Sequence, residues 1–253
     1  MAEGEGTADY STYYGEANLR VPDFVHGRLD ELVAHFEADR VTGEWLDVGC
    51  GAGALVEAAA RGGWRARGTE VSEPAVRELR SRGLDVLSGP LESHGLAPES
   101  FDVVSMVEVV EHLAQPGALV REASRLLRPG GVLYLTTPHA RGVSARLLGT
   151  RWSVVAPPEH LQLFSVAGVR ALIGSGGLAE RYAWTHAVNP TELLAAVRRR
   201  RGHDRVASGY RVNEALVSNR AGALAKDAVN AVLSVTRLGD AIKLVAVRVV
   251  AAR

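Results

Sequence analysis

The stretch Trp45 to Gly53, WLDVGCGAG, joins a short apolar run to a turn with three glycines at alternate positions. A short apolar run bounded by glycine is typical of a buried strand in a parallel sheet. Glycine permits positive φ angles and lets a ligand approach the backbone closely. In such sheets ligands bind at the carboxyl ends of the strands, which is where this turn lies. The stretch therefore predicts an α/β fold with a ligand-binding turn after its first strand.

The two common phosphate-binding patterns do not match this turn. A P-loop requires Gly-x-x-x-x-Gly-Lys-Ser/Thr and no lysine is present, while the dinucleotide fingerprint requires Gly-x-Gly-x-x-Gly and the register here is Gly-x-Gly-x-Gly. Asp47 precedes the turn, and its carboxylate would repel a pyrophosphate but attract a cation or an ammonium group. Glu70 ends the second predicted strand, where an acid can accept both hydroxyls of a ribose. These residues indicate a positively charged nucleoside without phosphate, a description that S-adenosylmethionine satisfies.

Strands and helices alternate along most of the chain. The predicted strands are 44–49, 64–71, 84–89, 101–110, 132–137, 178–188 and 240–250, and the predicted helices between them are 22–40, 54–63, 72–83, 116–131 and 166–177. This alternation predicts a parallel α/β sheet with right-handed crossovers. We expect a single domain over residues 1–253, with an N-terminal arm at 1–22 and a helical insertion at 190–238 that covers the acceptor.

Composition narrows the classes of partner. The formal net charge is zero, which does not indicate a general affinity for nucleic acid or anionic membranes. The lone cysteine excludes an internal disulfide framework and is typical of a reducing compartment. The first 20 residues lack the basic and apolar regions of a signal peptide, and no apolar run is long enough to span a membrane. We therefore expect a cytoplasmic monomer or homodimer that binds neither nucleic acid nor membrane.

Four motifs carry a resemblance to a known family. LDVGCGAG, GTEVSE, FDVVSMVEVVEHL and LLRPGGVLYLTTP, in this order, resemble class I S-adenosylmethionine-dependent methyltransferases over Arg28 to Tyr182. The pattern EVVEH with a later histidine is similar to that of ubiquinone-biosynthesis O-methyltransferases and small-RNA 2′-O-methyltransferases. The resemblance implies a Rossmann-like, seven-stranded, mostly parallel sheet with helices on both faces. Its last strand would be antiparallel and inserted beside the sixth.

The resemblance also implies S-adenosylmethionine as cofactor, S-adenosylhomocysteine as product, and a set of cofactor-binding residues. The cofactor would be lined by Asp47, Gly49, Cys50 and Gly51, and its ribose would be held by Glu70. The adenine would lie between Val71 and Leu91, and the methionine part would lie over Met106 and Val107. The methionine carboxylate would pair with Arg28, and Tyr14 would act as a lid. Pro90 stands where such enzymes often have an acid near the adenine amine, so Glu92 or the backbone would take that role. For Tyr14 the alternative is ordinary packing, and for the Cys50 side chain packing is preferred over nucleophilic chemistry.

Two histidines and a glutamate are the candidates for catalysis. Methyl transfer is an in-line displacement, so the protein aligns the nucleophile and removes its proton. His112 follows strand four and His160 lies in the long loop after strand five, so either could be the base. The alternative for His112 is that it and Glu111 only fix the loop, and the alternative for His160 is that it anchors the loop through a backbone carbonyl.

A metal site is the less favoured alternative. Glu108, Glu111 and His112 are spaced i, i+3 and i+4, so they face one way if a helical turn follows the strand. With His160 they offer carboxylates and imidazoles that suit Mg²⁺, Mn²⁺ or Zn²⁺. The favoured prediction is a site without metal.

The sequence predicts methyl transfer to a small molecule, most simply O-methylation of a hydroxyl on a natural product, sugar or aromatic metabolite of secondary metabolism. Two alternatives stay open. The first is metal-assisted RNA 2′-O-methylation, which the neutral charge disfavours. The second is a non-catalytic protein that retains the cofactor pocket, because binding and turnover require different residues.

Overall fold

A computed structural model describes residues 23–188 and 229–249 of the chain. The strands are β1 Glu44–Val48, β2 Arg65–Glu70, β3 Asp85–Ser88, β4 Phe101–Val107, β5 Leu127–Pro138, β6 Leu178–His186 and β7 Ala241–Arg248. The α-helices are α1 Asp23–His35, α2 Ala54–Arg61, α3 Glu73–Ser81, α4 Pro116–Leu126, α5 Val143–Leu148 and α6 Val166–Ser175. Residues 229–236 are also helical, and short 3₁₀ turns occupy Glu37–Asp39, Leu91–His94, Val110–His112 and Gly149–Arg151.

The seven strands form one sheet in the order β3-β2-β1-β4-β5-β7-β6. The first five strands pair in parallel, and β7 pairs antiparallel with both β5 and β6. The prediction of a mostly parallel sheet with an antiparallel last strand beside the sixth is confirmed. The order changes direction at β1 and β4, so the glycine turn after β1 opens at the switch point where parallel sheets bind ligands.

Helices cover both faces of the sheet. On one face α1 and α2 pack through Val33, Phe36 and Leu55 against Trp45 and Tyr134. On the other face α4 and α6 bury apolar residues, Val120, Ala123, Leu126, Val169 and Ile173, against alternate residues of the same strands. Strand residues point to opposite faces in turn, so nearly continuous apolar strands supply both cores. No helix of the described ranges is long and apolar enough to cross a membrane.

Four predicted boundaries are wrong by three residues or more. Helix α1 ends at His35 instead of 40, and β5 begins at Leu127 instead of 132. Helix α4 ends at Leu126 instead of continuing to 131, because Leu127 is extended at φ −65° and ψ 137° and the residue before Pro129 disfavours helical geometry. Strand β4 ends at Val107 instead of 110, because Glu108 has a φ of +55° that no strand accommodates. The predicted arm 1–22 lies outside the described residues, as does the predicted insertion except for its last part, 229–238.

Asp102 ties the loop before β1 to the start of β4 and β5. Its Oδ2 accepts hydrogen bonds from the amides of Val41, Thr42 and Gly43 at 2.9, 2.8 and 2.7 Å, and Arg128 donates to its Oδ1 at 2.5 Å. Burial by itself raises the pKa of Asp102, but Arg128 and the three amides outweigh it and hold that pKa below its usual range. The ionised carboxylate is therefore the form that the fold requires.

Replacing Asp102 with asparagine is expected to destabilise the protein by about 3 kcal/mol at pH 7, because it breaks a buried, fully hydrogen-bonded ion pair. The folded-state pKa is depressed, so the stabilisation is present above the ordinary value of 3.8 and is lost as the pH falls below it. Urea unfolding of wild type and variant at several pH values measures this. A difference that persists undiminished in acid would contradict the electrostatic origin.

Candidate active site

The glycine turn after β1 has the backbone that its sequence predicts. Gly49, Gly51 and Gly53 have φ angles of +66°, +53° and +75°, which L-residues with a side chain rarely adopt. A Cβ on Gly49 would also lie 2.9 Å from Val109, and one on Gly53 would lie 2.6 Å from Leu79. The turn therefore requires glycine for its conformation and for close packing with the elements around it.

Glu70 stands at the mouth of this turn. It is buried, and its two carboxylate oxygens accept hydrogen bonds from the amides of Gly51 and Ser72, each at 2.9 Å. These bonds fix the carboxylate while each oxygen keeps a lone pair for a further donor, such as a ribose hydroxyl. The Ser72 hydroxyl beside it is buried without a hydrogen-bond partner among the described residues. The Glu70 carboxylate and the Ser72 hydroxyl can therefore still form hydrogen bonds with a ligand.

Asp47 is the buried acid at the end of β1. The Ser105 hydroxyl donates to its Oδ1 at 2.6 Å, and the Trp45 indole donates to that hydroxyl at 2.9 Å. Burial raises the pKa of Asp47 to about 7, the Ser105 hydrogen bond opposes this rise, and the charge of Glu70 adds to it. Ionised Asp47 therefore becomes favourable when a cation enters the site.

This shift predicts opposite effects of Asp47→Asn on stability and on binding. The unfolded acid ionises near 3.8 and the folded acid near 7, so the wild type loses stability as the pH rises between these values. At pH 8 and without ligand the variant is expected to be more stable, on the order of 3 kcal/mol, with little difference at pH 4. Its affinity for S-adenosylmethionine is expected to fall. Thermal melts at both pH values, with calorimetric titration, measure the two effects. A variant that is less stable at pH 8 would contradict the raised pKa.

Two valines beside the turn remain open to solvent. Val71 follows β2 with 52% of its surface exposed, and Val107 ends β4 with 38% exposed. They flank the acidic mouth on either side. Exposed apolar side chains next to polar groups are typical of a ligand-binding groove. Both residues are among those that the resemblance assigns to the cofactor.

Three other predicted cofactor residues have side chains in the core. Met106 and Leu91 are almost fully buried in the cluster on the α4 face. Cys50 packs against Gly68, where an added Cβ would lie 2.6 Å from its sulfur, and burial raises the pKa of its thiol. Any ligand contact of these three residues would therefore involve their backbone. Arg28 is exposed on α1, and Tyr14 lies outside the described residues.

Glu108 and Glu111 form a carboxyl pair where β4 ends. Thr136 donates to Glu108 at 2.8 Å and Thr137 donates to Glu111 at 3.0 Å. Burial, followed by the charge of Glu108, raises the pKa of Glu111 to about 8. The other oxygen of Glu111, Oε1, is buried without a hydrogen-bond partner among the described residues, so the neutral carboxyl is the favoured form of Glu111 when no cation is nearby.

His112 and His160 are brought together next to this pair. Their ring centroids lie 4.6 Å apart. The Nδ1 of His112 lies 2.7 Å from the Glu159 carbonyl, and the Nδ1 of His160 lies 2.6 Å from the Val154 carbonyl. A carbonyl can only accept, so each Nδ1 carries the proton, and for His160 this leaves Nε2 as a base or ligand. Burial and the neighbouring His160 lower the pKa of His112 against the opposing Glu159 carbonyl.

Glu111, His112 and His160 place one ligand atom each within 4.8 Å of one another. Three of the four residues named for the metal alternative thus converge, and Glu108 is not among them. His139, a further histidine at the end of β5, is buried, and its Nδ1 lies 2.9 Å from the Gly239 carbonyl. Its ring is thus held in the interior.

The sequence reasoning missed several polar residues that shape the site. Ser105 interrupts the apolar strand FDVVSMV, and Thr136 and Thr137 end β5 at the carboxyl edge. A polar residue inside a buried strand, or at that edge, is a signal that could have been used. Lys243 was also missed. It lies on β7, the last strand in the chain, which comes next to Thr136 only because β7 pairs with β5 in the sheet.

The sequence matches the profile of a family described as a methyltransferase domain over residues 22–179. It is 33% identical over 156 residues to a ubiquinone biosynthesis O-methyltransferase of Caulobacter vibrioides, covering 53% of this chain and 62% of that one. It is 31% identical over 179 residues to the enzyme of the same name from Ralstonia nicotianae, covering 60% of this chain and 75% of that one. Several further relatives of that name are matched over less than half of their length.

Solved structures share the fold at low sequence identity. A S-adenosylmethionine-dependent methyltransferase from Archaeoglobus fulgidus superposes with a TM-score of 0.63 at 15% identity, covering 94% of this chain and 100% of that one. A possible histamine N-methyltransferase from Thermotoga maritima gives 0.60 at 18% identity, covering 94% and 98%. The [4+2]-cyclase SpnF gives 0.56 at 20% identity, covering 88% and 80%. Proteins with different reactions thus share this fold, and the reaction must be argued from the site.

Proposed function

Because the chain belongs to the methyltransferase-domain family and uses S-adenosylmethionine, we propose that it methylates a hydroxyl group of a small-molecule acceptor. The observation that carries the proposal is the histidine pair. The Val154 carbonyl holds the Nδ1 atom of His160, which leaves its Nε2 atom as a proton acceptor beside Glu111 and His112. A hydroxyl nucleophile needs such an acceptor, because its ordinary pKa keeps it protonated at neutral pH.

The groups around the glycine turn suit the proposed cofactor. Glu70 would accept the ribose hydroxyls, ionised Asp47 would face the positively charged methionine part, and Val71 and Val107 would pack against apolar surface. When bound, S-adenosylmethionine supplies a methyl carbon attached to a sulfonium leaving group. The residues of this chain have to align the acceptor oxygen with that carbon and to take up the hydroxyl proton.

His160 is the preferred base and His112 the alternative. The Nε2 atom of the histidine would take up the proton of the acceptor hydroxyl. The pKa of Glu111, which burial raises to about 8, would fall once a neighbouring histidine carries a positive charge, and the ionised carboxylate would then stabilise the new imidazolium. The products are the methyl ether, S-adenosylhomocysteine and a proton.

The relatives named for ubiquinone biosynthesis support oxygen as the accepting atom. They do not identify the acceptor, since most are matched over less than half of their length. The formal net charge of zero favours a small molecule over RNA. We assign the acceptor to the wider class of hydroxylated natural products, sugars and aromatic metabolites.

Formation of S-adenosylhomocysteine tests the proposal. The protein would be incubated with S-adenosylmethionine and hydroxylated probes such as catechol, caffeate and glucose, and the product would be quantified by mass spectrometry. We expect turnover with at least one probe above the rate without acceptor. Tight cofactor binding with no turnover on any probe would instead support the non-catalytic alternative.

The convergence of Glu111, His112 and His160 favours a metal-assisted version of the same function. Two imidazoles with Nδ1 held by carbonyls and one carboxylate are a donor set for Zn²⁺, Mn²⁺ or Mg²⁺. A cation there would withdraw charge from an acceptor hydroxyl and make its proton easier to remove.

Removal of metal distinguishes the metal-assisted reaction from one in which a histidine alone acts as the base. If a cation takes part, dialysis against EDTA is expected to reduce turnover at least tenfold, and Mn²⁺ or Mg²⁺ should restore it. Wild type and His112→Asn would be compared by calorimetric Mn²⁺ titration, where only the wild type should bind. Full activity in EDTA would overturn the metal-assisted version and leave the histidine base intact.

A further inference from the structure

Lys243 occupies a place that the pattern of β7 assigns to an apolar residue. Val245 and Val247 of β7 lie on the α1 face of the sheet, where both pack into the core. Alternate residues of a strand share a face, so Lys243 lies on the α1 face as well. Its register partners are Thr136 of β5 and Trp184 of β6. Paired residues share a face, so these three side chains are neighbours at the carboxyl edge of the parallel strands.

Its ammonium group has no hydrogen bond or ion pair with any residue that the structure describes. The side chain is half-buried, and burial lowers the pKa of Lys243. The nearby Arg28 lowers it further, while Glu108 opposes the shift. A cation withdrawn from water is unfavourable unless an anion compensates it. The position therefore favours an anionic ligand over water.

The sheet order places Lys243 on the acceptor side of the site. Strand β7 is the third strand from β1, since β4 and β5 lie between them. Adjacent strands are about 4.8 Å apart, so Lys243 lies roughly 14 Å across the sheet from the glycine turn. The proposed cofactor residues at the ends of the strands follow or lie on β1, β2, β3 and β4. Lys243 lies beyond Glu108, whose charge acts on both it and Glu111.

We propose that Lys243 binds a carboxylate of the acceptor, so that the substrates of this enzyme are hydroxy acids. Half-buried Trp184, the register partner of Lys243 on β6, offers an aromatic surface beside the ammonium group. The proposal rests on the proposed function, because it takes the acceptor to be a hydroxylated small molecule. It assigns the ammonium group a role in choosing that molecule, separate from proton removal.

Matched probes test the inference by binding. Affinities of 3,4-dihydroxybenzoate and of catechol, which differ only by the carboxylate, would be measured by calorimetry on the complex with S-adenosylhomocysteine. Wild type is expected to prefer the acid about tenfold, the size of one charge-assisted hydrogen bond. Lys243→Met keeps the apolar stem and should abolish the preference, whereas Lys243→Arg should retain it. Thermal melts confirm that each variant is folded.

The outcomes separate this inference from the proposed function. A wild type without preference for the acid, including one that binds neither probe, overturns the inference, as does a Lys243→Met variant that keeps the preference. If Lys243→Met instead weakens S-adenosylhomocysteine more than threefold, the lysine binds the cofactor carboxylate and the inference is wrong. A preference for the acid without any methyl transfer would overturn the proposed function alone.

Discussion

Glu70→Ala is expected to raise the dissociation constant for S-adenosylmethionine by about 1,000-fold. Two charge-assisted hydrogen bonds from ribose hydroxyls to this carboxylate correspond to about 4 kcal/mol. The substitution also removes the acceptor for the amides of Gly51 and Ser72, each 2.9 Å from a carboxylate oxygen. The turn thus loses its anchor at the same time as the cofactor loses its partner. Isothermal titration calorimetry measures the effect.

Two further variants separate the anchor from the ligand contact. Glu70→Gln keeps one acceptor oxygen but turns an NH₂ group toward a backbone N–H, so we expect an intermediate loss. Glu78→Gln, at an exposed position on α3, is the matched control and should bind like wild type. A folded Glu70→Ala protein with an affinity within threefold of wild type would overturn the ribose assignment.

His160→Asn is expected to lower kcat by about 1,000-fold, the usual size of a lost general base, and that loss in His112→Asn instead would make His112 the base. The asparagine amide nitrogen is as many bonds from the backbone as Nδ1. It can therefore still donate to the Val154 or Glu159 carbonyl that Nδ1 contacts at 2.6 or 2.7 Å. The loop anchor is retained and only Nε2 is lost. Affinity for S-adenosylmethionine and the melting temperature should stay near the wild-type values.

This design distinguishes catalysis from anchoring. If the histidines only anchor the loop, the asparagine variants keep wild-type kcat while His160→Ala loses it, and the catalytic assignment is wrong. His35→Asn, at an exposed position on α1, controls for the loss of an imidazole elsewhere. The lowered pKa of His112 keeps its ring neutral and able to accept a proton to lower pH than an ordinary imidazole.

The sheet and the mouth of the site could be predicted because their signals are local. Alternating apolar segments, the glycine turn and the acids at 47 and 70 each lie at the end of a strand visible in the sequence. Once those strands are parallel and adjacent, their carboxyl ends meet at one edge. Boundaries depend on single backbone angles, because one positive φ at Glu108 ends β4 three residues before the predicted position.

Side-chain direction was not visible in the motifs. Met106 and Val107 are neighbours in one motif, yet Met106 is fully buried and Val107 is 38% exposed. Strand alternation requires them to face opposite ways, but which one faces the core depends on the helices that pack there. The same holds for Cys50, whose sulfur packs against Gly68.

The sequence by itself determined the fold, the cofactor class and the acids at the glycine turn, because these depend on chain neighbours and on short-range periodicity. Only the tertiary structure brought His112 within hydrogen-bond distance of the Glu159 carbonyl, 47 residues away, and set His160 beside it. It also placed Lys243 next to Thr136, because β7 inserts between β5 and β6. Such contacts join segments far apart in the chain, and no local pattern records which surfaces will pack together when the apolar faces are buried.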